Sequence, residues 1–419
     1  MKAGESVELT LNDKSVIKGI LLASSNPALF TVKLPNGYNI YVDKKSVRNI
    51  KKLRSETRKI QKPEKSNLVK NSELPTVLLL HTGGTIASKV DYRTGGVTPL
   101  FSPEDILGMF PELSELVQLK SIQLFNVLSE NLDFSHYNKI AQTIKEWADK
   151  VDGIIVTQGT DTLHYTPSAI SFILKNLPIP VIFVGAQRSS DRGSSDAALN
   201  LLSAAYFISK RNYKGIGICM HKSSDDDLCF ILKPHNTRKL HTSRRDAFRP
   251  INSLPLAEVD FKARRINLIS SNKRVSGKLE SFPINPKIKV GFLKVRPNIS
   301  VEEFEAYKNF DGLIIEGTGF GHAPVGNVKI LKVLKSLARQ MPVIATSQCV
   351  YGRVNLHVYS AGRQMLKAGI IESKEGITSE TAYIKLAWLL SNFKDVKRRF
   401  NEDFRGENNS RILLSSFLY

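Results

Sequence analysis

Cysteine is scarce in this sequence of 419 residues, which contains only Cys219, Cys229 and Cys349. Three cysteines without a CxxC pair exclude a disulfide-stabilised scaffold and argue against a thiolate zinc site. No uncharged apolar run approaches the ~18 residues of a membrane span. The first ten residues, MKAGESVELT, lack the apolar segment of a signal peptide. We therefore predict a cytoplasmic protein that does not associate with a membrane.

Nucleotide-binding and metal-binding motifs are also lacking. There is no GxxxxGK[ST] loop, so the chain has no visible means of activating a carboxylate with ATP. His235 and His241 lie six residues apart, which is not the spacing of a zinc helix, and residues 225–227 are more typical of a polar turn than of a metal site. We predict no metal and no cofactor in this chain.

Acidic residues are outnumbered, with 39 Asp and Glu against 60 Lys and Arg, for a net charge of +21. Such a surplus indicates a polyanion, an acidic subunit or a membrane surface as a partner. The hydrophobic share of 42% is that of an ordinary globular protein. At ~150 residues per domain, the length predicts two or three domains.

Residues 1–55 favour a small β-barrel, because short alternating segments are separated by turn signals such as Asn36-Gly37. Such a barrel could bind RNA or protein, or could be a structural appendage. The stretch 44–70 then holds eleven Lys or Arg residues against two glutamates. We interpret residues 56–74 as a basic linker, whose charge either faces solvent or contacts phosphate.

From Thr76 onward, continuous apolar runs alternate with helical stretches. The runs are PTVLLL (75–80), GIIVTQG (153–159), PVIFVGA (180–186), GIGICM (215–220), KVGFLKV (289–295), GLIIEGTG (312–319) and PVIATSQ (342–348). Helical patterns occupy 136–150, 166–177 and 196–210. This alternation predicts parallel βαβ units. We expect one α/β domain over 75–261, a basic connector over 262–287 and a second α/β domain over 288–419.

Small residues and hydroxyls follow three of the apolar runs, at the carboxyl strand ends where open parallel sheets bind ligands. The segments are HTGGTIA (81–87), QGTDT (158–162) and GAQR (185–188). The first and second resemble the two signature motifs of the bacterial-type asparaginase/glutaminase family, and the likeness extends over about residues 76–400. We therefore expect a two-lobed, asparaginase-like parallel-sheet α/β fold after the small barrel.

One branch of that family is more similar still. The segments VDYRTGGVTP (90–99), LSENLD (128–133) and KLHTSRRDAFRP (239–250), together with the amino-terminal barrel, resemble the D subunits of archaeal glutamyl-tRNA(Gln) amidotransferases.

The resemblance implies residue roles. It makes Thr85 the nucleophile, which needs activation because a threonine hydroxyl is nearly inert at neutral pH. It makes Tyr92 part of a mobile lid that closes on the nucleophile. Thr160, Asp161 and Lys239 match a second cluster, in which the lysine would ease deprotonation of Thr160 or of an attacking water.

Further implied roles concern the substrate. Ser129 would bind its α-carboxylate, and Glu130 and Asp161 its α-ammonium. Gly84, Gly159 and Ala186 would line the pocket, with backbone N–H groups around Thr85 and Ala186 as oxyanion donors.

Plainer explanations remain open for the same residues. Thr85 could cap a helix, Tyr92 could pack on the surface, Lys239 could be a solvated charge, and Ser129 with Glu130 could cap the following helix. Glu130 and Gln187 also differ from the residues common in free-standing asparaginases. The arginines and aspartate at 244–246 could shape either an ammonia exit or a subunit interface.

The function implied by the resemblance is that of a glutaminase subunit, an amidohydrolase within a complex of the ligase class. It would release ammonia from glutamine, or less often asparagine, for an E-type partner that uses ATP and Mg²⁺ to convert Glu-tRNA(Gln) to Gln-tRNA(Gln). A homodimer core within a heterotetramer is expected. The alternatives are a free-standing asparaginase/glutaminase and a non-enzymatic RNA-binding or scaffolding protein.

Overall fold

A computed structural model describes residues 2–24, 26–34, 39–53, 73–84, 86, 88–90, 97–99, 103–190, 193–210, 212–270, 276–374, 376–409 and 411–417. Thr85, Tyr92 and most of the predicted basic linker lie outside these ranges. No helix in the described part is long and apolar enough to cross a membrane.

The amino-terminal segment forms one antiparallel sheet around a small core that includes Val7, Leu9 and Val32. Its strands are β1 (Ser6–Leu11), β2 (Val16–Leu22), β3 (Leu29–Lys33), β4 (Asn39–Asp43) and β5 (Val47–Lys52). A 3₁₀ turn, Lys44–Ser46, joins the last two strands.

This five-stranded sheet is open, with the order β4-β3-β2-β1-β5. The predicted strands are therefore present, but the predicted closure into a barrel is wrong for the described residues, in which β4 and β5 do not pair. Four of the six residues of β5 are exposed, and its exposed Lys51 and Lys52 are the kind of charge that protects an edge strand from further pairing.

The central region contains fourteen strands in the described residues. They are β6 (Thr76–His81), β7 (Ser88–Val90), β8 (Val97–Pro99), β9 (Gln118–Gln123), β10 (Gly153–Thr157), β11 (Leu174–Lys175), β12 (Pro180–Val184), β13 (Gly215–His221), β14 (Cys229–Leu232), β15 (Thr237–Lys239), β16 (Phe248–Pro250), β17 (Ala257–Asp260), β18 (Arg265–Leu268) and β19 (Glu280–Ser281). The helices between them are α1 (Pro103–Met109), α2 (Phe134–Trp147), α3 (Thr166–Ile173) and α4 (Ala197–Lys210), with 3₁₀ turns at Pro111–Glu115 and Ser129–Asn131.

Eight of these strands form one sheet in the order β18-β17-β14-β13-β12-β10-β6-β9. Five neighbouring strands, β13, β12, β10, β6 and β9, run parallel, whereas β14, β17 and β18 extend the sheet antiparallel. The parallel arrangement was predicted, but the sequence showed no apolar run at β9. The predicted connector thus contributes an edge strand, β18. Side chains of β6 alternate between two cores: Leu78 and Leu80 pack with α2 and α3, and Val77 and Leu79 pack with α1 and α4. Burial on both faces explains the continuous apolar runs.

The carboxyl-terminal region forms a four-stranded parallel sheet, ordered β20-β21-β22-β23. Its elements are β20 (Val290–Lys294), α5 (Val301–Glu305), β21 (Gly312–Gly317), α6 (Val328–Gln340), β22 (Val343–Ser347), α7 (Ser360–Lys367), β23 (Ile371–Glu372), α8 (Ser379–Asn392), α9 (Val396–Arg399) and a 3₁₀ turn, Leu414–Ser416. The fully buried Trp388 of α8 packs on Phe172 of α3, with ring centroids 5.4 Å apart, so the two α/β regions share one core. The predicted α/β architecture is confirmed.

Candidate amidase site

A glycine pair shapes the turn that follows β6. Gly83 and Gly84 have φ angles of +125° and +86°, which side chains rarely adopt. A Cβ atom on Gly84 would lie 2.6 Å from the backbone nitrogen of Gly159, and one on Gly83 would overlap the carbonyl oxygen of Val127. Only glycine therefore allows this turn to contact the loops that follow β9 and β10.

The strand register places three loops side by side. In the parallel ladder, Thr157 at the end of β10 pairs with His81 of β6 on one side and with Val184 of β12 on the other. The turn after each strand therefore emerges at the same edge of the sheet. The three segments that the sequence analysis selected meet at this edge.

Thr160, Asp161 and Lys239 form a hydrogen-bonded cluster. The Lys239 ammonium donates to Thr160 Oγ1 at 2.9 Å and to Asp161 Oδ1 at 2.8 Å. The Lys239 side chain is only 8% exposed, whereas that of Asp161 is 69% exposed. The lysine is thus held against a buried hydroxyl by a carboxylate that faces solvent, and it is not the fully solvated charge of the plainer explanation.

Gln187 is a member of this cluster that the sequence analysis did not select. Thr160 Oγ1 donates to Gln187 Oε1 at 3.1 Å, so the hydroxyl accepts from the ammonium and donates to the amide. These two contacts fix the direction of the Thr160 hydroxyl and leave a lone pair of its oxygen beside the positive charge of Lys239. Two signals were present in the sequence: Gln187 follows the third apolar run, and it differs from the residue common in free-standing asparaginases.

The buried carboxylate of Asp196 holds the loop that carries Gln187. It accepts hydrogen bonds from the backbone nitrogens of Gln187 at 3.0 Å and Arg188 at 2.9 Å. Asn200 donates to the same carboxylate at 3.1 Å and to the carbonyl of Gly185 at 3.0 Å. The sequence carried no sign of this anchor, because the pattern of helix α4 accounts for Asp196 and Asn200 without it.

A further set of polar contacts leads from Asn200 to the surface. Asn200 Oδ1 lies 2.6 Å from His221 Nδ1, and His221 Nε2 lies 3.4 Å from Asp226 Oδ1. Arg245 donates to Asp226 at 2.6 Å. The segment after Lys239 and the loop of Gln187 are therefore joined behind the cluster. Residues 225–227 form a polar turn, and the described residues hold no group of three or more His, Cys, Asp or Glu placed for a metal.

Ser129 and Glu130 lie on the 3₁₀ turn after β9. Ser129 is buried, and a Cβ atom on Gly159 would lie 3.1 Å from its Oγ. Thr162 Oγ1 donates to the backbone oxygen of Ser129 at 2.6 Å, which ties this turn to the loop of Thr160. Glu130 is exposed. Asp133, not Ser129, caps the following helix by accepting from His136 N, so the plainer explanation of the pair does not apply.

The remaining predicted site residues divide into two groups. Gly84, Gly159 and the buried Ala186 lie on the three adjacent loops. Thr85 and Tyr92 fall outside the described residues, so their roles stay predictions. Thr85 directly follows Gly84 in the sequence, and the backbone of Gly84 approaches that of Gly159 closely.

Two buried imidazoles near the site are neutral. Burial lowers the pKa of His81 to about 4, and its Nδ1 lies 2.8 Å from Thr157 Oγ1. Burial, together with the positive charges of Arg238 and Lys239, lowers the pKa of His164 to about 3. Neither residue adds a positive charge at neutral pH, and the Lys239 ammonium is the cation in hydrogen-bond contact with Thr160.

Gln158 is a second polar residue that the sequence analysis passed over. Its side chain is almost fully buried, and both amide atoms lack hydrogen-bond partners among the described residues. An unpaired buried amide costs about 1–3 kcal/mol, which is unusual away from functional sites.

The residues at 244–246 belong to ion pairs on the next segment. Asp246 is buried, accepts from Arg244 at 2.8 and 2.9 Å, and pairs with Arg249 at 2.6 Å. The hydrogen bonds from Arg244 lower the pKa of Asp246. This network holds the turn that follows Lys239.

The fold and the two glycine- and threonine-rich loops define an amidohydrolase of the asparaginase type. Residues 76–274 match the family model "Asparaginase, N-terminal", and residues 289–400 match "Glutaminase/Asparaginase C-terminal domain". The chain belongs to the asparaginase/glutaminase family.

Similar proteins of known name indicate the branch of this family to which the chain is most similar. A Methanococcus maripaludis protein named as the D subunit of a glutamyl-tRNA(Gln) amidotransferase is 37% identical over 99% of this chain and 100% of its own length. A Pyrococcus furiosus protein of the same name is 40% identical over 87% of this chain and 83% of its own. The resemblance to D subunits is confirmed. Among solved structures, the thermostable L-asparaginase of Thermococcus kodakarensis matches with a TM-score of 0.71 and 30% identity, over 80% of this chain and 99% of that one.

Proposed function

We propose that this chain is the glutaminase subunit of a tRNA-dependent amidotransferase. The observation that carries the proposal is the Thr160–Asp161–Lys239 cluster beside the glycine turn that leads into Thr85. Near-full-length similarity to proteins named as amidotransferase D subunits supports the tRNA-dependent role.

The proposed reaction has two halves. The Thr85 hydroxyl attacks the side-chain carbonyl carbon of glutamine, its proton passes to the amide nitrogen, and ammonia leaves as the C–N bond breaks. Water then attacks the resulting ester, which releases glutamate and restores the hydroxyl. The Lys239 ammonium stabilises negative charge on Thr160 Oγ1, or on a water bound there, in either half. Tyr92 closes over the nucleophile, and backbone N–H groups near Thr85 and Ala186 bind the oxyanion.

The substrate contacts are assigned by charge. Asp161 and Glu130 are exposed carboxylates at the rim and bind the α-ammonium. Ser129 binds the α-carboxylate, and Gly84 and Gly159, which let the neighbouring loops approach closely, line the pocket. Released ammonia passes to an E-type subunit, which holds ATP and Mg²⁺ and acts on Glu-tRNA(Gln). A dimer of this chain with two such partners, working in the cytoplasm, completes the proposal.

The test measures ammonia release from glutamine by the purified chain, alone and with the E-type partner, ATP and Glu-tRNA(Gln). We expect slow release alone and strong stimulation by the full mixture. Fast hydrolysis that ignores both additions would contradict the proposal. Thr85→Ala should abolish release and Thr85→Ser should retain part of it, because serine keeps the attacking hydroxyl.

A free-standing asparaginase/glutaminase is the second candidate. It is favoured by the similarity of 80% of this chain to a solved structure named as an L-asparaginase. It predicts rapid hydrolysis of asparagine by the chain alone. Measuring both amides without a partner separates the two candidates.

A further inference from the structure

A cavity of about 370 Å³ lies at the sheet edge opposite the candidate amidase site. Gly215, the first residue of β13, lines it, and Gly215 pairs with Pro180 at the start of β12. The amidase loops instead follow Val184, at the other end of that strand. At ~3.3 Å per residue, the two ends of β12 are about 13 Å apart. The cavity is therefore separate from the amidase site.

The wall of this cavity is positively charged. Its charged side chains among the described residues are all cationic: Lys175, Lys214, Lys233 and Arg405. Three of these residues already have partners: Lys175 pairs with Glu280 at 2.7 Å, Arg405 donates to the carbonyls of Ser171 and Phe172 at 3.0 Å, and Lys214 takes part in a further interaction. His235 also lines the cavity, but burial lowers its pKa to about 3 and leaves it neutral.

Lys233 is the cation that most needs a counter-charge. It is half-buried, and its ammonium has no hydrogen-bond or ion-pair partner among the described residues. Burial lowers its pKa. A partly desolvated ammonium without a partner is unfavourable, and an anion in the cavity would offset that cost.

We propose that this cavity binds a small phosphorylated ligand, with the phosphate on Lys233 and the rest of the ligand against Leu174, Leu177 and Tyr213. The volume is that of a small-ligand pocket, which typically measures about 300–1,000 Å³. Lysine ammoniums suit phosphate because they act as compact point charges toward several acceptor oxygens. The apolar part of the wall favours a ligand with a body over a bare ion.

The ligand site is linked to the amidase cluster through one short segment. Lys233 and Lys239 lie six residues apart, and hydrogen bonds hold the segment between them at Lys233 and at His235. Thr237 Oγ1 donates to the backbone oxygen of Lys233 at 2.6 Å, and Thr381 Oγ1 donates to that of His235 at 2.8 Å. A ligand that holds Lys233 thus restrains the strand that delivers Lys239. The functional meaning of this link rests on the proposed amidase function.

Calorimetric titration of the full chain tests the site, with inorganic phosphate, AMP and a short single-stranded RNA as probes. We expect AMP to bind with a Kd below about 1 mM, and Lys233→Gln to weaken binding at least about tenfold. Lys262→Gln is the matched control, because it removes one positive charge outside the cavity. Absence of binding by phosphate and AMP, binding by RNA alone, or equal binding by the Lys233→Gln variant would each overturn the proposal.

Hydrogen exchange of residues 233–239 tests the link without any assay of hydrolysis. Saturating AMP should slow exchange there in the wild-type chain and leave it unchanged in the Lys233→Gln variant. Unchanged exchange in the wild type despite calorimetric binding would refute the link. Failure of glutamine hydrolysis would count against the proposed function and not against this site.

Discussion

Replacing Lys239 with methionine tests the candidate site most directly. The substitution keeps the length and most of the volume of a side chain that is 8% exposed, and it removes only the charge and its two hydrogen bonds. A hydrogen bond involving a charged group contributes about 1.5–3 kcal/mol. The bond to Asp161 counts for less, because that carboxylate is largely exposed and screened by solvent.

The bond to Thr160 strengthens as negative charge develops on its oxygen, so most of the loss falls on the transition state. We expect a total of about 2–4 kcal/mol, which corresponds to a fall in kcat of about 30- to 1,000-fold. Steady-state ammonia release from glutamine gives kcat and KM, and thermal unfolding checks that the variant is folded.

The matched control is Lys308→Met, which removes an ammonium–carboxylate pair of the same 2.8 Å length, with Glu305, in the carboxyl-terminal region. It should leave kcat unchanged. A folded Lys239→Met variant with the kcat of the wild type would refute the role assigned to the cluster.

Three further outcomes are expected. Asp196→Asn should lower the free energy of urea unfolding by about 2–4 kcal/mol, because a buried acceptor of two backbone N–H groups loses its charge. A change below about 0.5 kcal/mol would show that Asp196 does not anchor the loop. Gly84→Ala should reduce ammonia release at least tenfold, because the added Cβ would lie 2.6 Å from the backbone nitrogen of Gly159. The control Gly326→Ala should leave the rate unchanged, because its Cβ would meet nothing within 4 Å. Equal rates for the two variants would show that the turn does not require glycine. The buried imidazoles of His164 and His235 have pKa values of about 3, below the ordinary 6.5, so the unfolded chain binds protons first as pH falls. Their stabilising effect is complete above about pH 6.5. Below that pH, uptake of two protons by the unfolded chain lowers the free energy of unfolding by an amount approaching about 3 kcal/mol per pH unit. Urea unfolding at pH 7, 6 and 5 with no such loss would contradict the burial of both imidazoles as neutral groups.

The sequence predicted the α/β architecture because strands buried on both faces must be apolar throughout. It could not predict the arrangement of the amino-terminal strands, apart from the pairing of strands that are neighbours in the chain. Closure of a barrel depends on strand twist and stagger, and in the described sheet β4 and β5 are the two unpaired edges. The antiparallel addition of β14, β17 and β18 was equally invisible, because short strands carry no mark of direction.

The candidate site was likewise predicted in part from the sequence and determined in part by the tertiary structure. Sequence motifs and family resemblance selected Thr160, Asp161 and Lys239 by residue type and position. Tertiary structure alone decided that an ammonium 79 residues further along the chain donates to the Thr160 hydroxyl. It also decided that Gln187 accepts from that hydroxyl and that Asp196 holds its loop.

The physical reason is the range over which each kind of information acts. Periodicity, turn chemistry and motif spacing record constraints between neighbours in the chain, so the sequence by itself determined the elements and the types of residue at the strand ends. Hydrogen bonds across loops depend on the register of parallel strands and on the close approach that Gly84 allows. Those relations exist only once the sheet has formed.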